Sequence, residues 1–290
     1  MIYRFQPILK TLVWGTENWV LSGVKGNETK VTGGPADGKT LNELYGEEFP
    51  LLIKFIDARQ DLSIQVHPND DVARERHGCR GKTEMWYMID AAPGAHLYSG
   101  MSREITPEEY VRLVAEGRIT EVLANHPTQK GDVFYLPAGR VHAICGGCYI
   151  AEIQETSDIT YRIFDYNRPG LDGKPRQLHT ELAKDVIDYK VHPSYKTAYE
   201  RVPDAEMQVV ECPYFVTSVY ELSKPFTKDL FGLTGKNFLV VMGLEGSGHV
   251  QVYGSDPVAI AAGEALLIMG ESEVSFIPDG NTLKLLTTHL

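Results

Sequence analysis

The chain has 290 residues, 43% hydrophobic and 23% charged, enough apolar material for one large or two ordinary domains with full cores. A formal net charge of −11 argues against a surface that coats nucleic acid, while leaving room for a local basic pocket that takes a small anion. No apolar run approaches the roughly 20 residues that span a membrane, and Met1-Ile2-Tyr3-Arg4-Phe5-Gln6-Pro7 lacks the apolar segment of a signal peptide, so a cytoplasmic protein with no membrane partner is expected.

Short strands broken by Gly, Pro and Asp dominate the chain. Residues 51–56 and 62–66 read as strands around a turn at 57–61, and 84–89 is aromatic and β-prone. Thr106-Pro107-Glu108-Glu109 signs a helix with a capping Thr, a first-turn Pro and a Glu three residues after the cap. Tyr110, Leu113 and Val114 continue it at helical spacing to about Glu116-Gly117, and a second short helix is expected over 119–124. Strands follow at 132–136 and 149–154, and 177–188 is connecting. The segment from Val191-His192-Pro193 reads as a linker before further strands at 215–222, 238–242, 249–253, 265–269 and 273–278. Lys130-Gly131-Asp132 entering 133–138 is echoed by Ala262-Gly263-Glu264 entering 265–270. The first copy leads on to His142 and the second to no His, so the echo suggests a duplicated β-barrel with a metal site in the first copy alone.

Four side chains carry the chemistry. Gln65 and His67 are two apart in a strand and so share a face. Glu84 begins the aromatic strand, and His142 follows Leu136-Pro137-Ala138-Gly139-Arg140-Val141. Two imidazoles, a carboxylate and an amide oxygen brought together inside a small barrel suit one borderline divalent ion, Zn²⁺ first, with Mn²⁺, Fe²⁺, Co²⁺ or Ni²⁺ also able to occupy the set. The competing structural reading of any single His is a satisfied core or surface residue. Of the four cysteines, Cys145-Gly146-Gly147-Cys148 has zinc-knuckle spacing but no second pair, and Cys145, three residues from His142, is a rival ligand.

Ser63-x-Gln65-x-His67-Pro68, Lys82-x-Glu84-Met85-Trp86 and Leu136-Pro137-Ala138-Gly139-x-Val141-His142-Ala143 together resemble the type I phosphomannose isomerases of the cupin superfamily, in a compact bacterial form. Lys10-Thr11-Leu12-Val13-Trp14-Gly15 and Ser157-Asp158-x-x-x-Arg162 extend the likeness over about the first 190 residues. The resemblance implies a mainly β protein of two cupin-type jelly-roll barrels with one or two short helices. A metal-binding catalytic barrel would span 1–190, with a helical insertion near 106–124, and a degenerate cupin-like domain 191–290. It also implies Gln65, His67, Glu84 and His142 as metal ligands, Arg162 near the reacting carbons, and Glu152, Asp158 and Lys82 in or beside the site. Ser63 matches the phosphate-contacting Ser. Arg168 falls where longer members place a basic residue on the phosphate, but Phe164-Asp165-Tyr166-Asn167-Arg168-Pro169 departs from their pattern, and Lys174 or Arg176 are alternatives.

The implied reaction interconverts mannose 6-phosphate and fructose 6-phosphate by proton transfer through an enediolate, with Arg162, Lys82, Glu152 and Asp158 as the reacting set. Trp14, Trp19, Trp86 and Tyr161 either line the pocket or fill the core. The rivals are another metallo-cupin enzyme such as a dioxygenase and a non-catalytic sugar-phosphate-binding cupin. The expected partner is a small sugar phosphate, and the chain itself a monomer or homodimer.

Overall fold

The computed structural model describes residues 1–231 and 238–290, apart from the side chain of Asn281. The chain forms two compact units, one of residues 9–19 and 48–196, the other of 1–8, 20–47 and 197–290. This differs from the consecutive division at residue 190: two N-terminal segments pack with the C-terminal strands. The strand Ile2–Gln6 pairs antiparallel with Ala265–Met269, Ile2 opposite Ile268, and with Lys30–Thr32 on its other edge.

The unit of 9–19 and 48–196 is built on two sheets. The seven-stranded sheet runs in the order Lys196–Thr197, Val133–Leu136, Glu84–Ala91, Cys148–Glu155, Leu51–Ala58, Gly15–Leu21, Ile8–Leu12. The five-stranded sheet runs Tyr161–Phe164, Ile64–Val66, His142–Ile144, His96–Met101, Leu123–Pro127. Ile56, Trp86, Met88, Phe134 and Ile150 of the first sheet share one apolar cluster with Leu97 and Ile144 of the second, which makes the pair a sandwich. The far side of the five-stranded sheet is covered too. Val66, Met101, Ala143 and Ile163 pack there with Tyr110 and Leu113 of the helix Pro107–Ala115 and Ala183 of the helix Thr180–Lys184. A sheet buried on both faces reads as an apolar run rather than an alternation, as His142-Ala143-Ile144 does.

The helix Pro107–Ala115 forms where its cap predicts: Thr106 accepts from the Glu109 N–H at 3.2 Å. The Glu109 carboxylate pairs with Arg103 at 2.7 Å. Residues Ile119–Val122 make a 3₁₀ turn. Three further α-helices, Leu41–Tyr45, Asp70–His77 and Thr180–Lys184, exceed the one or two expected. They span only five to eight residues, too few for a sustained apolar stripe to announce them. None of the described helices is long and apolar enough to cross a membrane.

In the other unit a nine-stranded antiparallel sheet is organised by two long strands, Phe238–Gln251 and Glu273–His289. They pair along their length from Val240 opposite Thr288 to Gln251 opposite Ser275, with register shifts around Glu245 and Gly248. Different strands flank the two halves: Val216–Leu222 and Ala265–Met269 at one end, Phe226–Asp229 and Val258–Ala261 at the other. The sequence echo has a structural counterpart: Gly131 (φ 87°) and Gly263 (φ 85°) each make a left-handed turn just before a strand.

Candidate metal centre and active site

Strand pairing delivers the site residues. Gln65 lies opposite His142 on one neighbouring strand and opposite Arg162 on the other. In the facing sheet Glu152 lies opposite both Trp86 and Lys54, and Gln154 opposite Glu84. Rows of directly opposed residues share a face, so the two sheets present Arg162, Gln65 and His142 against Trp86, Glu152 and Lys54.

The two imidazoles are set by backbone carbonyls. His67 Nδ1 is 2.9 Å from Ile159 O, and His142 Nδ1 is 2.8 Å from Arg140 O. A carbonyl only accepts, so each Nδ1 carries the proton and each Nε2 presents a lone pair. Those lone pairs meet Glu84: His142 Nε2 is 3.3 Å from Oε1 and His67 Nε2 is 3.7 Å from Oε2. One donor atom from each residue lies within 4.8 Å of the others, and this is the only such group of His, Cys, Asp and Glu among the described residues. Burial, aided by the Lys82 ammonium, holds His67 well below its usual range. Burial likewise brings His142 down to about 3, so both rings are neutral. Burial pushes Glu84 up to about 7 against the opposing pull of Lys82.

The donor set fits a divalent cation. His67 Nε2 and both Glu84 oxygens are buried without a hydrogen bond. Lys82 Nζ pairs with Glu84 Oε2 at 3.0 Å, which leaves Oε1 and His67 Nε2 as the atoms without a donor or cation. Orphaned buried polar atoms are costly, and a metal supplies the partner they lack. Gln65 Nε2 is 3.4 Å from His142 Nε2. Turning that amide over, which leaves its shape unchanged, puts the oxygen at the same place. Cys145 is buried but is not in the group.

A cavity of about 220 Å³ opens above this centre. Ser63, Gln65, Lys82, Glu152, Asp158 and Arg162 all line it. Glu152 has both oxygens engaged, accepting from Lys54 at 2.9 Å and from Trp86 Nε1 at 2.8 Å. Burial raises its pKa, but Lys54 and Lys82 outweigh that and hold it down at about 2. Arg162 donates to Gln177 O at 2.9 Å and keeps a buried Nε with no hydrogen bond. Arg168 and Lys174 do not line the cavity, whereas Arg176 does. The Asp165 carboxylate binds Arg168 at 2.9 Å and receives two 2.6 Å bonds from Arg176, which fixes the Arg176 fork.

Trp14 and Trp19 are part of the cavity wall. Trp86 is in the core, and the Tyr161 hydroxyl turns away to His77 at 2.7 Å. Three charged lining residues had no role assigned from sequence: Lys10, Glu17 and Lys54. The signal for Lys54 was present, a lysine inside the apolar run Leu51-Leu52-Ile53-Lys54-Phe55-Ile56.

Fold and site together define a cupin-type barrel with a buried two-His, one-Glu centre beneath a basic pocket. The catalytic-domain model of type I phosphomannose isomerase matches residues 17–91. Mannose-6-phosphate isomerase ManA of Bacillus subtilis (strain 168) is 34% identical over 276 residues, covering 85% of this chain and 86% of that one. Mannose-6-phosphate isomerase of Streptococcus mutans is 33% identical over 264 residues, covering 87% and 82%. The crystal structure of mannose 6-phosphate isomerase from Bacillus subtilis superposes with a TM-score of 0.89 at 27% identity, covering 100% of this chain and 99% of that one. The chain belongs to the type I phosphomannose isomerases.

Proposed function

We propose that this protein is a metal-dependent isomerase that interconverts mannose 6-phosphate and fructose 6-phosphate. The observation that carries the reading is the convergence of two neutral imidazole Nε2 lone pairs and an orphaned carboxylate directly beneath a cavity lined by Lys82, Glu152, Asp158 and Arg162. His67, Glu84, His142 and Gln65 would hold the ion, with Zn²⁺ the best match and Mn²⁺, Fe²⁺, Co²⁺ or Ni²⁺ the substitutes. When bound, such an ion acts as a Lewis acid that favours negative charge on a neighbouring oxygen.

The chain's own residues do the rest. A proton leaves C2, one arrives at C1, and a hydroxyl proton moves between O2 and O1. Asp158 has no hydrogen bond or ion pair among the described residues and lines the cavity, which suits a group that takes up and returns a proton. Glu152, with both oxygens occupied, is a fixed anion that holds Lys54 and steadies Lys82. Lys82 and Arg162 supply positive charge where oxygen charge develops. Ser63 and Arg176 anchor the phosphate in place of Arg168 and Lys174: Arg168 and Arg176 share the single carboxylate Asp165, an excess of one positive charge suited to an anion. Catalysis belongs to the unit of 9–19 and 48–196.

The rival dioxygenase rests on a third histidine, and Gln65 stands in that place. A coupled assay on mannose 6-phosphate, with metal analysis of the same sample, tests the proposal. Turnover that a chelator abolishes and a divalent ion restores is the expected result. No turnover with the metal fully loaded refutes it.

A further inference from the structure

Charged side chains run diagonally across the seven-stranded sheet from Glu84, a member of the metal centre. Glu152 follows on the next strand, then Lys54, Glu17 and, on the edge strand Ile8–Leu12, Lys10. All but Glu84 line the cavity. The inner members satisfy one another: Lys54 is 2.9 Å from Glu152 and 3.6 Å from Glu17, and Glu17 accepts from Trp19 Nε1 at 2.6 Å. The last member does not share in this. Lys10 Nζ sits 3.3 Å above the centre of the Trp19 ring and has no hydrogen bond or ion pair among the described residues. Trp19 is buried and tied to Glu17, so it is a rigid seat. Lys10 therefore holds three donors at the cavity with no acceptor.

The charge around Lys10 says what those donors take. Its charged neighbours are the carboxylates Glu17 and Asp158 and the ammonium Lys54, which with Lys10 itself leave no net charge. That environment does not attract a dianion. The end at Ser63 and Arg176 does. The Lys10 ammonium, in a surrounding of no net charge, instead offers its donors to neutral hydroxyl oxygens.

We propose that Lys10 is a specificity-determining residue that donates to sugar hydroxyl oxygens at the end of the pocket remote from the phosphate. This rests on the isomerase reading above. The Lys10 side chain binds and orients the sugar and takes no part in proton transfer.

The test compares the metal-loaded parent with Lys10→Met and Lys10→Arg. In Lys10→Met, KM for mannose 6-phosphate should rise about 10- to 100-fold, the worth of a hydrogen bond from a charged donor, with kcat within about twofold. The competitive inhibition constant of inorganic phosphate should stay as in the parent, and Lys10→Arg should recover most of the KM. An unchanged KM overturns the proposal. A fall in kcat at constant KM overturns it as well, by moving Lys10 to the chemical step. A phosphate inhibition constant that rises in parallel with KM overturns it by placing Lys10 at the phosphate end. Thermal unfolding of each variant separates loss of binding from loss of fold. Should the loaded parent bind mannose 6-phosphate without turnover, the isomerase reading fails, and calorimetry on the same variants still decides the role of Lys10. A parent that binds no mannose 6-phosphate overturns both.

Discussion

Glu84 and Glu152 are two buried carboxylates on adjacent strands with opposite fates. Glu152 is ionised by two bound donors, while Glu84 has cations nearby but no hydrogen bond. Glu84→Gln removes the only charged ligand, so the metal dissociation constant should rise by more than the 10- to 100-fold typical of losing a residue that only supports a ligand, measured by chelator competition. Lys54→Met leaves Glu152 buried beside an empty place and should cost about 3–5 kcal/mol in denaturant unfolding. Lys54→Met with Glu152→Gln should recover part of that loss, because the buried charge at position 152 is gone while Glu17 still lacks its lysine. Glu155 behaves differently again. Burial, with Asp70 beside it, pushes its carboxyl up to about 7 although the Thr83 N–H donates to it at 2.8 Å. The folded protein therefore holds a proton that the unfolded chain releases near pH 4.5. This contribution to stability is whole below pH 4.5 and is lost as pH rises to 7, by up to about 3 kcal/mol. Glu155→Gln keeps an acceptor for Thr83 and should flatten that dependence when unfolding is measured from pH 5 to 8.

At the scale of the element, what could be read depended on whether local chemistry or distant contact fixes a residue. The helix at Pro107–Ala115 was legible because Thr106 and Pro107 write its start and Tyr110 and Leu113 its buried face. The helix Asp70–His77 also carries its caps, Asn69 and Gly78, but buries only Ala73, so periodicity is silent. Gln65, His67, Glu84 and His142 stood out as polar groups in β-rich runs. Arg176 was only one of two alternatives to Arg168, because its place depends on the Asp165 carboxylate eleven residues away. The wall that carries Glu17 and Trp19 depends on Gly15. A Cβ there would lie 2.0 Å from Asp57 O, and the close approach lets Trp14 O accept from Arg59 N and Gln60 N at 2.9 Å each. Gly15→Ala should therefore destabilise by about 2–3 kcal/mol and weaken substrate binding in the protein that still folds, checked by thermal unfolding and KM.

At the scale of the molecule, the second unit was recognised as β-rich from its own strands, but its N-terminal contribution was hidden. Nothing in Ile2-Tyr3-Arg4-Phe5-Gln6 states that Ile2 will pair with Ile268, because pairing between distant strands leaves no local pattern. The consequence is physical. A fragment of residues 191–290 keeps the long strands Phe238–Gln251 and Glu273–His289 but loses the strand that covers Ala265–Met269. Leu266, Leu267 and Ile268, all buried in the whole chain, would then lie along an open edge. That fragment should associate at micromolar concentration and show poor amide dispersion by NMR. Rearranging the chain so that residues 1–8 and 20–47 are joined to 197–290 through a flexible linker should restore a monomeric, cooperatively unfolding unit. A well-folded monomer of 191–290 alone would show that the N-terminal strand is an accessory to this unit rather than part of its core.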